Sequence, residues 1–172
     1  LGAGYIEYGG DYHQSMRVEC RECEGTGFNK NLKKYKIKGK SIFDVWKMTL
    51  DEAIDFFEDI DKSITKVCIT ASEIMLGHLQ IGQATATLSG GENIRIKIMK
   101  ASKSTAKVIG VDEPFKGLSN IEIDAVANYL NRIREKGKTL IVIDHSTGVE
   151  DYFSQWIQIE NIDNRLIGKQ FK

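Results

Sequence analysis

The sequence predicts an α/β protein built on a parallel sheet with flanking helices, and three observations carry that expectation. Two short apolar runs, Val108–Val111 and Leu140–Ile143, lead into Asp112-Glu113-Pro114 and Asp144-His145. That is the pattern of buried parallel strands with ligands bound beyond their carboxyl ends. Between them, Asn120–Glu135 is amphipathic through Ile121, Ala125, Tyr129 and Ile133, and Gly137 ends it, so it reads as the crossover helix. Ahead of both, a run of small residues passes into Leu88-Ser89-Gly90-Gly91-Glu92, which opens a further helix reaching about Lys103.

Composition sets the outer limits. With 172 residues and 41% of them hydrophobic, the chain has material for one sizeable core or two small ones. Its 24 basic and 24 acidic residues cancel, so any attraction to nucleic acid must be local. No apolar run approaches the roughly 20 residues of a membrane span, and no signal peptide is visible, which points to a cytoplasmic protein without a membrane partner. The chain opens on Leu1-Gly-Ala-Gly rather than Met, so a segment of a longer protein is expected. Three cysteines, two of them as Cys20-x-x-Cys23, suit a reducing compartment and a metal or redox motif better than disulfides.

In chain order, short strands are expected at Gly4–Tyr8 and Ser15–Glu19. Cys20-Arg-Glu-Cys23-Glu-Gly25-Thr-Gly27 follows as a knuckle whose glycines let backbone amides turn toward sulfur. Tetrahedral Zn²⁺ takes four ligands, usually as two such pairs, so Cys20 and Cys23 read as half a zinc site completed upstream. His13 is a weaker third candidate, and Cys68 falls in a helical pattern as a core residue. The rival, a thioredoxin-like redox pair, wants a strand leading into a helix, which the glycines oppose.

Residues 30–40 hold six lysines and no acid. From Lys34 on, lysines alternate with Tyr35, Ile37 and Gly39, so one strand would set Lys34, Lys36 and Lys38 on a single face. That face suits a phosphate backbone, and equally a solvated edge strand guarded by lysine. Acids from Asp51 to Asp61 follow and are placed to neutralise it. Thr49 and Glu52 make a capping box for a helix with Leu50, Ala53, Ile54, Phe57 and Ile60 on its apolar face. Another helix runs from about Ser63 to Leu76. At the far end, a short helix from Thr147 precedes a hairpin of Trp156–Glu160 with Leu166–Lys169.

The chemistry gathers in three places. At a helix N-terminus, Ser89, Gly90 and Gly91 offer unpaired amides and the positive dipole end to a phosphate, although a simple polar N-cap explains such a tripeptide as well. After the first apolar run, Asp112 and Glu113 can divide labour, Asp112 holding Mg²⁺ and Glu113 polarising the attacking water; an exposed acidic turn is the plainer alternative. His145, ending the second run, is placed to meet Glu113 and a γ-phosphate in one crevice. Gly39-Lys40-Ser41 and Gly137-Lys138-Thr139 each mimic the end of a phosphate-binding P-loop. The required first glycine would fall at Lys34 and at Arg132, so neither is one.

In this order the three pieces resemble the signature, the Walker B strand and the switch histidine of ATP-binding cassette (ABC) ATPases. More specifically, the chain resembles the C-terminal half of the excinuclease A family. That resemblance is carried by Cys20-x-x-Cys23-x-Gly-x-x-Phe-Asn29, Tyr35-Lys-Ile-Lys-Gly-Lys-Ser-Ile-Phe-Asp-Val45, Met48-Thr-Leu-Asp-Glu-Ala53 and Phe56-Phe57. Leu79-Gln-Ile-Gly-Gln83, Thr87-Leu-Ser-Gly-Gly-Glu92, Arg95, Asp112-Glu-Pro114, Gly117-Leu118 and Asp144-His145 extend it. A general ABC transporter cassette would share the later group but not the cysteine and lysine stretches.

The resemblance implies a zinc module with a basic strand over residues 1–40 and a helical signature subdomain over 41–87. Residues 88–172 would be the later part of an ABC-type P-loop ATPase domain. It implies ATP, Mg²⁺ and Zn²⁺ as cofactors, with Ser89, Gly90, Gly91, Glu92 and Asp112 on nucleotide and metal and with Glu113 and His145 catalytic. It also implies a homodimer that binds damaged or distorted duplex DNA and loads a UvrB-like helicase, with the face of Lys34, Lys36 and Lys38 the DNA contact read from the residues. Such sites are composite, so this chain alone is expected not to hydrolyse ATP. Departures stand beside the match: Asn93-Ile94 after the signature, Ile143-Asp-His145 where the family has Ile-Glu-His, and no glycine-rich tail. They suggest a divergent, resistance-type paralogue as one alternative, and a non-catalytic zinc-knuckle interaction module as another.

Overall fold

A computed structural model of the chain describes residues 2–8, 16–162 and 165–171, with side chains left undescribed at 160–162, 165 and 166. His13, and Ser15 at the head of the second expected strand, lie outside the described residues. The chain divides into two compact units, Leu1–Ser72 with Leu76–Leu88, and Glu73–Met75 with Ser89–Lys172.

The first unit begins with an antiparallel hairpin of β1 (Tyr5–Tyr8) and β2 (Met16–Glu19). The cysteine knuckle follows, then a 3-10 turn at Lys30–Lys34 capped by Asn29. Strands β3 (Lys36–Ile37) and β4 (Lys40–Ser41) pair antiparallel. Here the expected lysine strand is corrected. Lys38 and Gly39 take positive φ of 46° and 78° and form the two-residue turn of a hairpin, the conformation that matches strand twist. Lys34 lies in the 3-10 turn, Lys36 in β3 and Lys38 in the reversal, so the three do not share one strand face. Lys38 reaches Asp59 at 3.5 Å, an ion pair of the kind expected from the acids after Asp51.

Three helices complete this unit: α1 (Ile42–Lys47), α2 (Leu50–Phe57) and α3 (Lys62–Glu73). Ser41 with Asp44 and Thr49 with Glu52 cap the first two reciprocally, each satisfying two otherwise orphaned amides. Ile60, expected on the α2 face, lies beyond that helix and is 39% exposed. Phe43, Ala53, Cys68, Ala71, Leu76 and Leu79 are buried. The segment leading toward Leu88 is sewn to the α1–α2 junction by Leu50 N to Leu79 O (2.8 Å), Ile81 N to Met48 O (2.9 Å) and Gly82 N to Trp46 O (2.9 Å). A Cβ on Gly82 would fall 2.0 Å from Trp46 Nε1, so the indole can lie against the backbone only because residue 82 has no side chain.

The second unit carries α4 (Gly90–Ser102), β5 (Val108–Asp112), α5 (Asn120–Glu135) and β6 (Thr139–Ile143). Strands β5 and β6 pair in parallel, with Val108 opposite Thr139 and Asp112 opposite Ile143, and α5 is the crossover between them. Ile109, Val111, Val126, Ala127, Leu130 and Ile133 are buried. Full burial of both strands is corrected, however. Inward residues alternate with Val108, Ile141 and Ile143, each more than half exposed, because the described residues cover only one face of this two-stranded sheet. The expected helix after Thr147 is a 3-10 turn at Glu150–Tyr152, following Gly148 at φ 82°. The chain closes with an antiparallel hairpin of β7 (Trp156–Ile162) and β8 (Arg165–Phe171).

Candidate functional site

The site is built at two neighbouring places in the second unit. The first is the start of α4. Ser89 adopts an extended conformation and its Oγ accepts from the Glu92 amide at 3.2 Å, while Glu92 Oε2 accepts from the Ser89 amide at 2.7 Å. This reciprocal cap consumes those two donors. The amides of Gly90 and Gly91 precede the first intrahelical hydrogen bond, so they have no partner within the helix and point out from its positive end. A Cβ on Gly90 would meet nothing within 4 Å, so packing inside the chain does not account for the glycine. In front lies a cleft of about 350 Å³, whose lining includes Ser89, Gly90, Gly91, Arg95, Lys116 and Gly117.

The second place is the carboxyl edge of the β5–β6 pair. Glu113 continues the ladder by donating its amide to Ile143 O at 2.7 Å, then departs from strand geometry with φ of 49°. A non-glycine residue in that region costs about 1–3 kcal/mol and persists only where its surroundings over-determine it. They do so here. Pro114 and Phe115 are buried, and the Phe115 amide donates to Asp144 Oδ2 at 2.9 Å. The other oxygen of Asp144 accepts from the Ser146 amide at 2.7 Å. Partial burial opposes the charge on Asp144, but donation from the Ser146 side chain and from the amides of Phe115, Ser146 and His145 outweighs it and holds the carboxyl below its ordinary range. Asp144 therefore braces the turn that carries Glu113. His145, exposed, follows two residues beyond the end of β6, on the same edge as Asp112 and Glu113. Asp112 accepts no hydrogen bond from the described residues, and Glu113 Oε2 accepts one from Lys116 Nζ at 2.6 Å.

Between the two places runs a buried polar link that the sequence reading does not contain. Arg95, 4% exposed, donates from Nη1 to Glu122 Oε1 at 2.9 Å, while Glu122 Oε2 accepts from the Ser119 amide at 3.0 Å and hydroxyl at 2.9 Å. The Ser119 amide, then Arg95 and the Ser119 hydroxyl, pull the Glu122 carboxyl from 4.5 to about 2. Among the described residues, Arg95 Nε is buried without a partner. The Ser119-x-x-Glu122 spacing is a legible capping signal, but nothing local announces that Arg95 shares the carboxylate.

In the first unit, Cys20 and Cys23 stand in a turn after β2. The Cys23 amide foremost, then the Cys23 side chain and the Glu22 amide, favour the Cys20 thiolate and lower its pKa against burial and the Glu22 charge, and the Cys23 thiol donates to Cys20 O at 3.9 Å. Thr26 Oγ1 donates to Cys23 O at 2.6 Å and closes the turn. A Cβ on Gly27 would fall 2.3 Å from Gly2 O, which explains that glycine. Two free thiols three residues apart in one turn have the donor chemistry of half a tetrahedral site. No set of three or more metal-ligating side chains occurs among the described residues. Among them, too, no helix is long and apolar enough to cross a membrane.

Comparison with known proteins places these features in context. No protein-family model matches the chain. It is 37% identical over 151 residues to UvrABC system protein A of Rickettsia bellii (strain RML369-C), covering 86% of this chain and 16% of that protein. UvrABC system protein A of Staphylococcus epidermidis shows the same identity and the same coverage. The chain thus spans about a sixth of the length of these curated relatives. Among solved structures, UvrA2 from Deinococcus radiodurans superposes with a TM-score of 0.82 at 30% identity, covering 97% of this chain and 21% of that one. An archaeal ribosome recycling factor shares the fold alone, with a TM-score of 0.52 at 23% identity over 73% of this chain and 23% of its own.

Proposed function

We propose, for a chain homologous to one segment of UvrABC system protein A, that it supplies the signature and Walker B parts of an excinuclease-A-like ABC ATPase. The complete protein would use ATP binding and hydrolysis to engage damaged or distorted DNA in nucleotide-excision repair. One observation carries the reading: an outward-facing Gly90-Gly91 helix start and the Asp112-Glu113 pair at the carboxyl end of a parallel strand occur together in one unit.

Each residue then has a role that its surroundings support. Gly90 and Gly91 present amides to a phosphate, with Ser89 and Glu92 holding the helix start in shape. Asp112, whose carboxylate oxygens accept no hydrogen bond from the described residues, suits an oxygen-seeking Mg²⁺, which when bound neutralises phosphate charge. Glu113 orients and polarises water, and His145 stands on the same edge to contact the transferring phosphate. In the composite site proposed, the P-loop that wraps the nucleotide is supplied from elsewhere in the complete protein. Cys20 and Cys23 would supply half of a Zn²⁺ site. Lys34, Lys36 and Lys38 would contact DNA from separate positions around a hairpin rather than from one strand face. Homodimerisation, a UvrB-like helicase partner and a cytoplasmic setting belong to the same proposal.

The test is a pair of variants in the complete protein. Glu113→Gln should still bind Mg²⁺–ATP while single-turnover hydrolysis falls by about 10²-fold or more, the scale of a positioned acid–base group. Asp112→Asn should lose nucleotide affinity as well. Equal affinity losses in both would show the pair misassigned, and near-normal turnover in Glu113→Gln would overturn the reading.

A further inference from the structure

Lys116 belongs to both halves of the site. Its ammonium lies 2.6 Å from Glu113 Oε2, and the same residue lines the cleft in front of Gly90 and Gly91. Glu113, Asp112 and Asp144 all raise its affinity for its proton, so the cation is firmly charged. Yet the pair is held loosely. The lysine side chain is 68% exposed, and solvent screening leaves such an ion pair weak. The backbone around it is fixed by contrast: Leu118 N donates to Phe115 O at 3.1 Å, and Asp144 pins Phe115. Only the flexible stem of Lys116 need move for the ammonium to change partners.

The cleft offers it a second one. The outward amides at the start of α4 favour an anion there, and the buried Arg95, whose charge Glu122 answers and whose Nε has no partner among the described residues, lies on the cleft wall. A phosphate group in this cleft brings more negative charge than one carboxylate. We infer that Lys116 is an exchangeable latch on Glu113, released when a nucleotide phosphate occupies the Ser89–Gly91 cleft. At rest the ammonium occupies the carboxylate that must polarise water. When phosphate arrives, Lys116 turns to it and Glu113 becomes available. This rests on the ATPase reading, in which the cleft and Glu113 serve two different nucleotides. Lys116 then makes hydrolysis at one nucleotide conditional on occupancy of the other, a coupling between sites through one side chain.

The experiment measures lysine acetylation in the complete protein by mass spectrometry, with exposed Lys97 on α4 as internal reference. Without nucleotide, Lys116 should react several-fold faster in Glu113→Gln than in the wild type, because its resting partner is gone. Adding Mg²⁺–ATP to Glu113→Gln should restore protection relative to Lys97. Steady-state turnover supplies a second readout. Lys116→Met should raise activity several-fold at low ATP and bring the Hill coefficient toward 1, whereas Lys116→Arg should keep the wild-type profile. A fluorescent ATP analogue, bound in parallel, separates the two failures. If it binds but Lys116 reactivity ignores it, or if Lys116→Met matches the wild type at low ATP, the latch is overturned while the ATPase reading stands. If no nucleotide binds, both fall together.

Discussion

Glu122→Gln is the perturbation whose size can be worked most directly from the structure. Glu122 ionises at about 2 instead of 4.5, because the Ser119 amide, Arg95 and the Ser119 hydroxyl all favour its anion. Taken at ~1.4 kcal/mol for each tenfold change, that depression corresponds to about 3 kcal/mol of folding stability. The carboxylate side chain is 28% exposed, so screening by solvent reduces the figure to about 2 kcal/mol. The glutamine keeps an acceptor for Ser119 but strands the buried Arg95 guanidinium without a counter-charge, which pushes the loss upward. The sign with pH follows from a depressed carboxylate. The stabilisation is fully present above about 4.5 and is lost as pH falls through about 2. Urea denaturation of the second unit should therefore show Glu122→Gln less stable by about 2 kcal/mol at pH 7, with the gap closing as the pH falls from about 5 toward 2. Adding Arg95→Met should recover part of the loss, since an unpaired buried charge is the costly state. A gap that is absent at pH 7, or one that does not narrow in acid, would refute the assignment of this pair as a partly buried, ionised link.

Two further outcomes follow from the first unit. Gly82→Ala should displace Trp46 from its place against residue 82 and cost about 1–3 kcal/mol, the range for overpacking, visible as a lower urea midpoint and altered Trp46 emission. In the complete protein, neutralising Lys34, Lys36 and Lys38 should weaken DNA binding and flatten its salt dependence by nearly one unit of log–log slope for each phosphate no longer engaged. An unchanged slope would leave these lysines as a solvated surface.

What the sequence makes legible is what local chemistry decides. The limits of α4, α5 and the β5–β6 pair follow from apolar periodicity closed by Ser89, Ser119 and Gly137, and they agree with the structure within a residue or two. The Thr49–Glu52 cap is likewise a three-residue signal. The lysine run misleads because its alternation passes through Gly39, the residue best able to reverse the chain. Once Lys38 and Gly39 turn, the period of two no longer describes one face. The apolar runs overstate the burial of β5 and β6, since such a run records the environment a strand tolerates, while exposure depends on which elements cover it. Arg95 and Glu122 stand 27 residues apart, and only the packing of α4 beside α5 joins them. The left-handed turn at Glu113 is also invisible in the sequence, since glutamate carries no preference for it.

The distribution of hydrogen bonds among the carboxylates around the cleft and the β5–β6 edge bears on which of them can act in chemistry. Glu92 spends an oxygen on the Ser89 amide, Glu122 divides its oxygens between Arg95 and Ser119, and Asp144 holds Phe115 with one oxygen and Ser146 with the other. Each of these would have to abandon a helix start or a turn before it could bind a metal ion or polarise water. Losing such a charge-assisted bond costs about 1.5–3 kcal/mol, and the freed amide would then need a new partner. Asp112 and Glu113 carry no comparable structural duty. Asp112 accepts no hydrogen bond from the described residues, and the partner of Glu113 is an exposed lysine able to leave. These three carboxylates also shape the edge that carries Asp112 and Glu113: Asp144 holds the turn that sets Glu113 at φ 49°, and Glu122 ties Arg95 on α4 to the start of α5. Rigid acids that position and uncommitted acids that react are what an electrostatically preorganised phosphate site requires. On the proposed ATPase reading, this division favours Asp112 and Glu113 over Glu92, Glu122 and Asp144 as the reactive pair.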